Sequence, residues 1–173
     1  QKAIRPKESI KHIVIQYRDY IDMSIGLNVD LSHKSVRFPR DCMDAHSQIL
    51  PRFNQVKHAA EDTLFAEKVK PLYAKLRITE FEKNGFCIVL PRLRSDLITE
   101  GQSLNHCVGG DGYYHNHIAG TKMIFFVRRS EAPEKPYFTL EVDMGTFRIN
   151  QLYGFGDCSA PKAVRQFAQD FVN

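Results

Sequence analysis

Apolar residues recur at helical spacing between Lys7 and Ile25, where Ile10, Ile13, Val14, Tyr17 and Ile21 make one stripe behind Pro6. Gly26, Asn28 and Asp30 break the pattern, and residues 26–38 read as a connector. A second helix is predicted to start near Pro39, with Asp41 in its first turn, where a carboxylate suits the helix dipole. Pro51 is expected to interrupt or kink it. A long helix follows from about Arg52 to Leu76, with Val56, Ala60, Leu64, Phe65, Val69, Leu72 and Leu76 as its apolar stripe and a bend near Pro71.

The pattern changes near Ile78. Phe86 to Leu90 is a short apolar run between Gly85 and Pro91, which predicts a buried strand. A helix is expected from Ser95, as N-cap, to Val108, stopped by Gly109-Gly110-Asp111-Gly112. Tyr113 to Ala119 predicts a short helix closed by Gly120. Three strands follow in succession: Met123 to Arg128, Pro136 to Asp143, and Phe147 to Tyr153 after a tight hairpin turn. In the second of these, Phe138, Leu140 and Val142 alternate with Thr139 and Glu141. A last helix from Ala160 to Val172 presents Val164, Phe167, Ala168 and Phe171.

Helices followed by a run of strands argue an α+β fold. The expected architecture is a helical N-terminal half packed on a small antiparallel sheet, one strand plus a three-stranded meander, with flanking helices. The expected parts are a helical subdomain over 1–77 and an α+β core over 78–173. With no Gly/Ser/Pro-rich linker between them, they are expected to form one compact unit. Because the chain opens on Gln1, it is expected to be a piece of a longer protein.

Composition changes this picture little. No apolar run reaches the roughly 18 residues that a membrane helix needs, so no membrane partner is expected. Four cysteines, Cys42, Cys87, Cys107 and Cys158, are scattered without a CxxC pair, which points to reduced thiols and a cytoplasmic protein. Charge is uneven. Residues 1–94 hold 17 Lys and Arg against 11 Asp and Glu, whereas residues 95–173 hold 7 against 9. A basic helical part can meet nucleic acid or be a solvated helix surface. Lys68, Lys70 and Lys75 are the candidate nucleic-acid contacts.

The chemistry concentrates between Glu100 and His117. On a helix, Leu97, Glu100, Leu104 and Cys107 share one face. A carboxylate on an apolar stripe must find partners, so Glu100 is either an active-site acid or a structural group matched by a residue such as Arg128. Cys107 is either a nucleophile or a small packing residue. A place at a helix C-terminus would not favour its thiolate, and His115 or His117 would serve as base better than the adjacent His106. His106, Cys107, His115 and His117 could also be read as metal ligands, but H-C-x7-H-x-H is not a common zinc spacing. No metal is assigned, and no cofactor is indicated. Tyr113 and Tyr114 can stack a base or sugar, or pack in the core. The glycines at 109–112 suit a left-handed helix cap rather than a phosphate loop. In the last strand, Gln151 is expected beside Phe147, Ile149 and Tyr153, a polar group on an apolar face; Asp157 follows in the next loop.

Together, LITEGQSLNHCVGG (97–110), MIFFVRR (123–129), PYFTLEVD (136–143) and INQLYGFGD (149–157) resemble the PcfJ-like family. Tyr17 to Tyr20 and Arg37 to His46 resemble its upstream helices, so the likeness spans about residues 10–172. Asp157 departs from the Asn expected in many relatives. The resemblance implies a protein of conjugative plasmids, phages and other bacterial mobile elements, accessory to DNA transfer. It carries over no catalytic assignment. By position in its motifs, Glu100, Cys107, Arg128, Glu141 and Gln151 are the residues singled out.

Three functions remain in view. One is a mobile-element accessory module that associates with DNA or a DNA-transfer protein. The second is an enzyme, a Cys-dependent hydrolase or transferase or a nucleotide-using transferase. Its pocket would lie between the 95–108 helix and the meander. Cys107, Glu100 and Glu141 would be its catalytic residues, and His106, Tyr113, His115, His117, Arg128, Thr139, Gln151 and Asp157 its ligand contacts. The third is an interaction domain without chemistry.

Overall fold

The computed structural model describes residues 9–76 and 81–173. The chain divides into two compact units, residues 1–60 and 61–173. The expected boundary at 77/78 and the expected helix start at Lys7 lie outside the described residues.

In the first unit, helix α1 (Ile10–Gly26) opens on Ser9, whose hydroxyl caps the His12 N–H. A short α2 (Lys34–Arg37) follows, and the Tyr17 and Tyr20 hydroxyls donate to the carbonyls of Arg37 and Val36. Tyr20, Met23 and Ile49 form the small core of this unit, with Ala45 and Phe53 beside them.

Helix α3 (Cys42–Leu76) is one continuous element through Pro51 and Pro71. The expected break at Pro51 is absent. Each proline removes one backbone donor, and across Pro51 the i, i+4 set Ala45, Ile49 and Phe53 keeps one face, while the expected stripe positions Val56 and Leu64 are exposed. Residues 61–76 of α3 belong to the second unit, where Phe65 and Val69 are buried.

That unit is built on a five-stranded antiparallel sheet in sequential order: β1 (Glu82–Lys83), β2 (Phe86–Val89), β3 (Lys122–Arg129), β4 (Phe138–Asp143) and β5 (Arg148–Tyr153). The fold class is therefore α+β, with five strands where four were expected. The extra strand is β1, joined to β2 by Asn84-Gly85. Both turn residues have positive φ (52° and 79°), the two-residue hairpin that an Asn-Gly pair favours.

Central strand β3 is buried on both faces, so its apolar run is unbroken. On one face Met123, Phe125 and Val127 pack with Phe138, Leu140 and Val142 against Val164, Phe167 and Ala168 of α6 (Lys162–Val172). On the other, Ile124 and Phe126 meet Phe65 and Val69 of α3, Leu97 of α4 (Arg94–Leu104), and Tyr114 of α5 (Asp111–Ala119).

Helix α4 stops at Leu104, four residues before the expected end. Asn105 takes the left-handed cap conformation (φ 52°) that was expected of the glycines after it. Cys107–Gly109 form a separate 3₁₀ turn, and Gly110 precedes α5 with φ −72°. Ser95 is not a cap. Its N–H and hydroxyl both bond the Asp62 carboxylate on α3, while Asp96 accepts from the N–H groups of Arg92 and Leu93.

Candidate functional site

The ends of β4 and β5 that face α4 and α5 carry polar residues. Cross-strand register places Thr139 opposite Tyr153 and Glu141 opposite Gln151. The ladder slips one residue between Glu141 and Val142, which leaves Asn150 as a bulge. The bulge turns Ile149 to the α6 face beside Val142, so Gln151 does not share a face with Ile149 as simple alternation predicts. It also lets the Asn150 amide donate to Glu141 Oε1 at 3.1 Å.

The 106–109 turn lies across these strand ends because it packs directly on α4. A Cβ on Gly101 would sit 2.8 Å from the His106 carbonyl and 3.0 Å from the Gly109 nitrogen. One on Gly109 would sit 3.1 Å from the Cα of Ile98. The Glu-Gly and Cys-Val-Gly pieces of the motif are thus two sides of one backbone contact. His106 and Cys107 are not on the helix, so the helix-dipole argument against Cys107 no longer applies. The ring and the thiol both line one small cleft.

That cleft has a volume of about 20 Å³, and its chemistry comes from His106, Cys107, Tyr113, Glu141, Gln151 and Asp157. The Tyr113 hydroxyl donates to Gln151 Oε1 at 3.2 Å and lies 3.4 Å from Cys107 Sγ. The bond to Cys107, then burial, pushes the phenol up to about 12. Tyr113 keeps its proton, and that proton goes to Gln151, so the Cys107 thiol is the donor to the phenol oxygen.

Two buried glutamates stand in opposite situations. Glu100, 2% exposed, is gripped at both oxygens by Arg128, at 2.9 Å and 2.5 Å, and accepts the Thr139 hydroxyl at 2.9 Å. Arg128, 5% exposed, also stacks over Phe126, 4.7 Å from the ring centroid. Glu141, 6% exposed, has the single Asn150 bond and no cation partner among the described residues. Glu100 and Arg128 do not line the cleft. They border a separate cavity of about 520 Å³ with Tyr73, Arg92, Asp96 and Glu134.

Other singled-out residues fall elsewhere. His117 is fully buried, stacked on Phe65 at 5.1 Å, and its Nδ1 accepts the Ile124 N–H at 2.9 Å. Its Nε2–H therefore donates to the Tyr73 oxygen at 2.7 Å, and Tyr73 donates to the Pro91 carbonyl at 2.7 Å. Burial drives this imidazole down to about 3. His117 is a core group rather than a ligand contact. His115 is exposed beside Tyr114 and does not reach the cleft. Among the described residues no cluster of three His, Cys, Asp or Glu could hold a metal ion. Asp157 lines the cleft with φ 59°, a left-handed conformation that Asp and Asn both tolerate, so either amino acid suits this turn.

Lys68, Lys70 and Lys75 are all exposed on α3. Helical spacing puts Lys68 and Lys75 in one row and Lys70 on the opposite flank of the buried stripe. Among the described residues no helix is long and apolar enough to cross a membrane.

Sequence reasoning missed Asn150 and the two-sided glycine contact. The bulge has no local signal. The contact was readable only as two glycines flanking a short turn.

Comparison with known proteins agrees with the motif resemblance. The family model described as PcfJ-like protein matches residues 16–164. The chain is 32% identical over 156 residues to the Listeria innocua serovar 6a protein Lin1253/Lin1744, covering 90% of this chain and 33% of that protein. The chain thus spans about a third of the curated relative's length. No solved structure matches it. On the match over residues 16–164, the chain belongs to the PcfJ-like family.

Proposed function

We propose that this PcfJ-like domain is the active-site part of an accessory protein of bacterial mobile elements, and that Glu141 is the group its ligand engages. The observation that carries this reading is the state of Glu141. It is buried, it lines the cleft, and it receives one amide hydrogen bond and no countercharge among the described residues. Burying a carboxylate in this way costs free energy unless a partner with protons to share meets it. Glu100, with Arg128 and Thr139, is matched in full and serves as the frame.

The cleft lining holds imidazole, thiol, phenol, amide and carboxylate groups but no Lys or Arg. Such a wall disfavours a phosphate and suits a donor-rich group, such as a sugar hydroxyl or a base amino group. A hydrolase or transferase fits, with the Cys107 thiol beside the bound group. Reduced Cys107 suits a cytoplasmic setting.

The test is Glu141→Gln in the full-length protein, expressed from its own mobile element. Transfer of the element should fall at least tenfold while the melting temperature stays the same or rises. Normal transfer, or lost transfer accompanied by a lower melting temperature, would sink the reading. A second reading, DNA contact through α3, is favoured by the exposure of all three lysines. It expects DNA binding that weakens steeply with salt and with charge reversal at Lys68, Lys70 and Lys75. Binding indifferent to both removes it.

A further inference from the structure

We propose that His106 is the proton-transfer group of the cleft, working through Nδ1, and that Arg128, Glu100 and Thr139 are positioning residues that fix it. This rests on the cleft reading above. Arg128 bonds both oxygens of Glu100, so Glu100 is a carboxylate and can only accept. Thr139 Oγ1 lies 2.9 Å from Glu100 Oε1, so the single hydroxyl proton points to the carboxylate. His106 Nε2 lies 3.1 Å from the same hydroxyl oxygen, which has only lone pairs left to offer. The Nε2 must therefore carry a proton and donate it.

That direction holds for the neutral ring and for the imidazolium alike. The proton that comes and goes is consequently the one on Nδ1. Among the described residues Nδ1 has no hydrogen-bond partner, and His106 borders both the cleft and the open groove beside Gly101, Asn105 and Gly110. A substrate hydroxyl or a water can give its proton to Nδ1 and keep the electron pair, becoming the nucleophile. The imidazolium then holds the proton for a leaving group, with its Nε2–H still on Thr139. A lone histidine on a loop would sample both tautomers. This one is set by a relay that starts at a buried ion pair on β3 and α4.

The experiment is long-range proton–nitrogen NMR of the 15N-labelled 173-residue chain, with the His106 ring assigned as the one missing in His106→Gln. The expected result is a single Nε2–H tautomer in the native chain and in Thr139→Ser, and a tautomer mixture in Thr139→Val. An Nδ1–H tautomer in the native chain overturns the proposal. If Thr139→Val fails to fold, the native and Thr139→Ser spectra still decide. For function, His106→Gln and Thr139→Val in the full-length protein should lower element transfer on the order of a hundredfold, the low end of a proton-transfer contribution. Thr139→Ser should restore it. If Glu141→Gln abolishes transfer and His106→Gln does not, the cleft stands and the role of His106 falls. If neither matters, the cleft reading itself fails.

Discussion

Replacing Arg128 with Met separates a framing carboxylate from a working one. The substitution keeps an unbranched side chain over Phe126 but removes the fork that grips both Glu100 oxygens. Glu100 would remain 2% exposed with only the Thr139 hydroxyl as donor. Removing one partner of a buried pair costs about 3–5 kcal/mol, because the other charge is left in a poor solvent. Against a typical domain stability of about 5–15 kcal/mol, that is a large share. At a urea slope of about 1–3 kcal/mol per molar, the midpoint should fall by at least about 1 M. The chain has no Trp, so far-UV circular dichroism is the suitable probe. The double variant Arg128→Met/Glu100→Leu removes both charges and should recover most of the loss. Glu141→Gln breaks no ion pair and should stay within about 1 kcal/mol of the native chain. An Arg128→Met cost under about 1 kcal/mol, or a Glu141→Gln cost equal to it, would refute the division between a framing and a working carboxylate.

Two further outcomes test the frame. Gly101→Ala places a methyl 2.8 Å from the His106 carbonyl. It should destabilise by about 1–3 kcal/mol and change the rate at which a thiol reagent labels Cys107; unchanged melting and labelling would dismiss the backbone contact as the reason for glycine. The buried His117 ring, held near 3, makes stability depend on acid. Its folded value lies below the unfolded one, so its contribution is complete above about pH 6.5 and is lost as pH falls toward 3. Between pH 7 and 5 the native chain should lose about 2 kcal/mol more than His117→Gln does, measured by urea denaturation, and equal losses would contradict the burial.

Periodicity was legible wherever one rule governed a segment. The alternation of Phe138, Leu140 and Val142 located the core face of β4, and the stripe of Val164, Phe167 and Ala168 located α6. Where two rules competed, reading failed. Pro51 signals a break, but Ala45, Ile49 and Phe53 share a face across it and α3 does not stop. The run from Ser95 to Val108 looks like one helix until Asn105 takes a left-handed turn, and Asn is among the few residues that can. Period-two alternation puts Gln151 with Ile149. One bulged residue, invisible to any periodic reading, reverses that assignment. That Glu141 has no cation partner among the described residues was equally hidden, since no spacing along a chain reports it.

The scattered family motif has a physical division within it. Thr139 and Glu141 leave β4 on the same face, two residues apart, and meet different fates. Thr139 donates its hydroxyl proton in a hydrogen bond to Glu100 and so joins the buried pair with Arg128. Glu141 lies toward the bulge, where among the described residues only Asn150 bonds its side chain, and borders the cleft. His106 is tied to the first of these residues and shares the cleft with the second. A matched charge network is rigid, and rigidity is what a neighbouring carboxylate with no countercharge among the described residues needs if it is to stay aimed at an opening. The Glu-Gly helix, the Arg strand and the Thr-x-Glu strand therefore need one another as a set. Losing any frame residue should disturb His106 before it disturbs the fold of the sheet. Losing Glu141 should leave every frame bond in place.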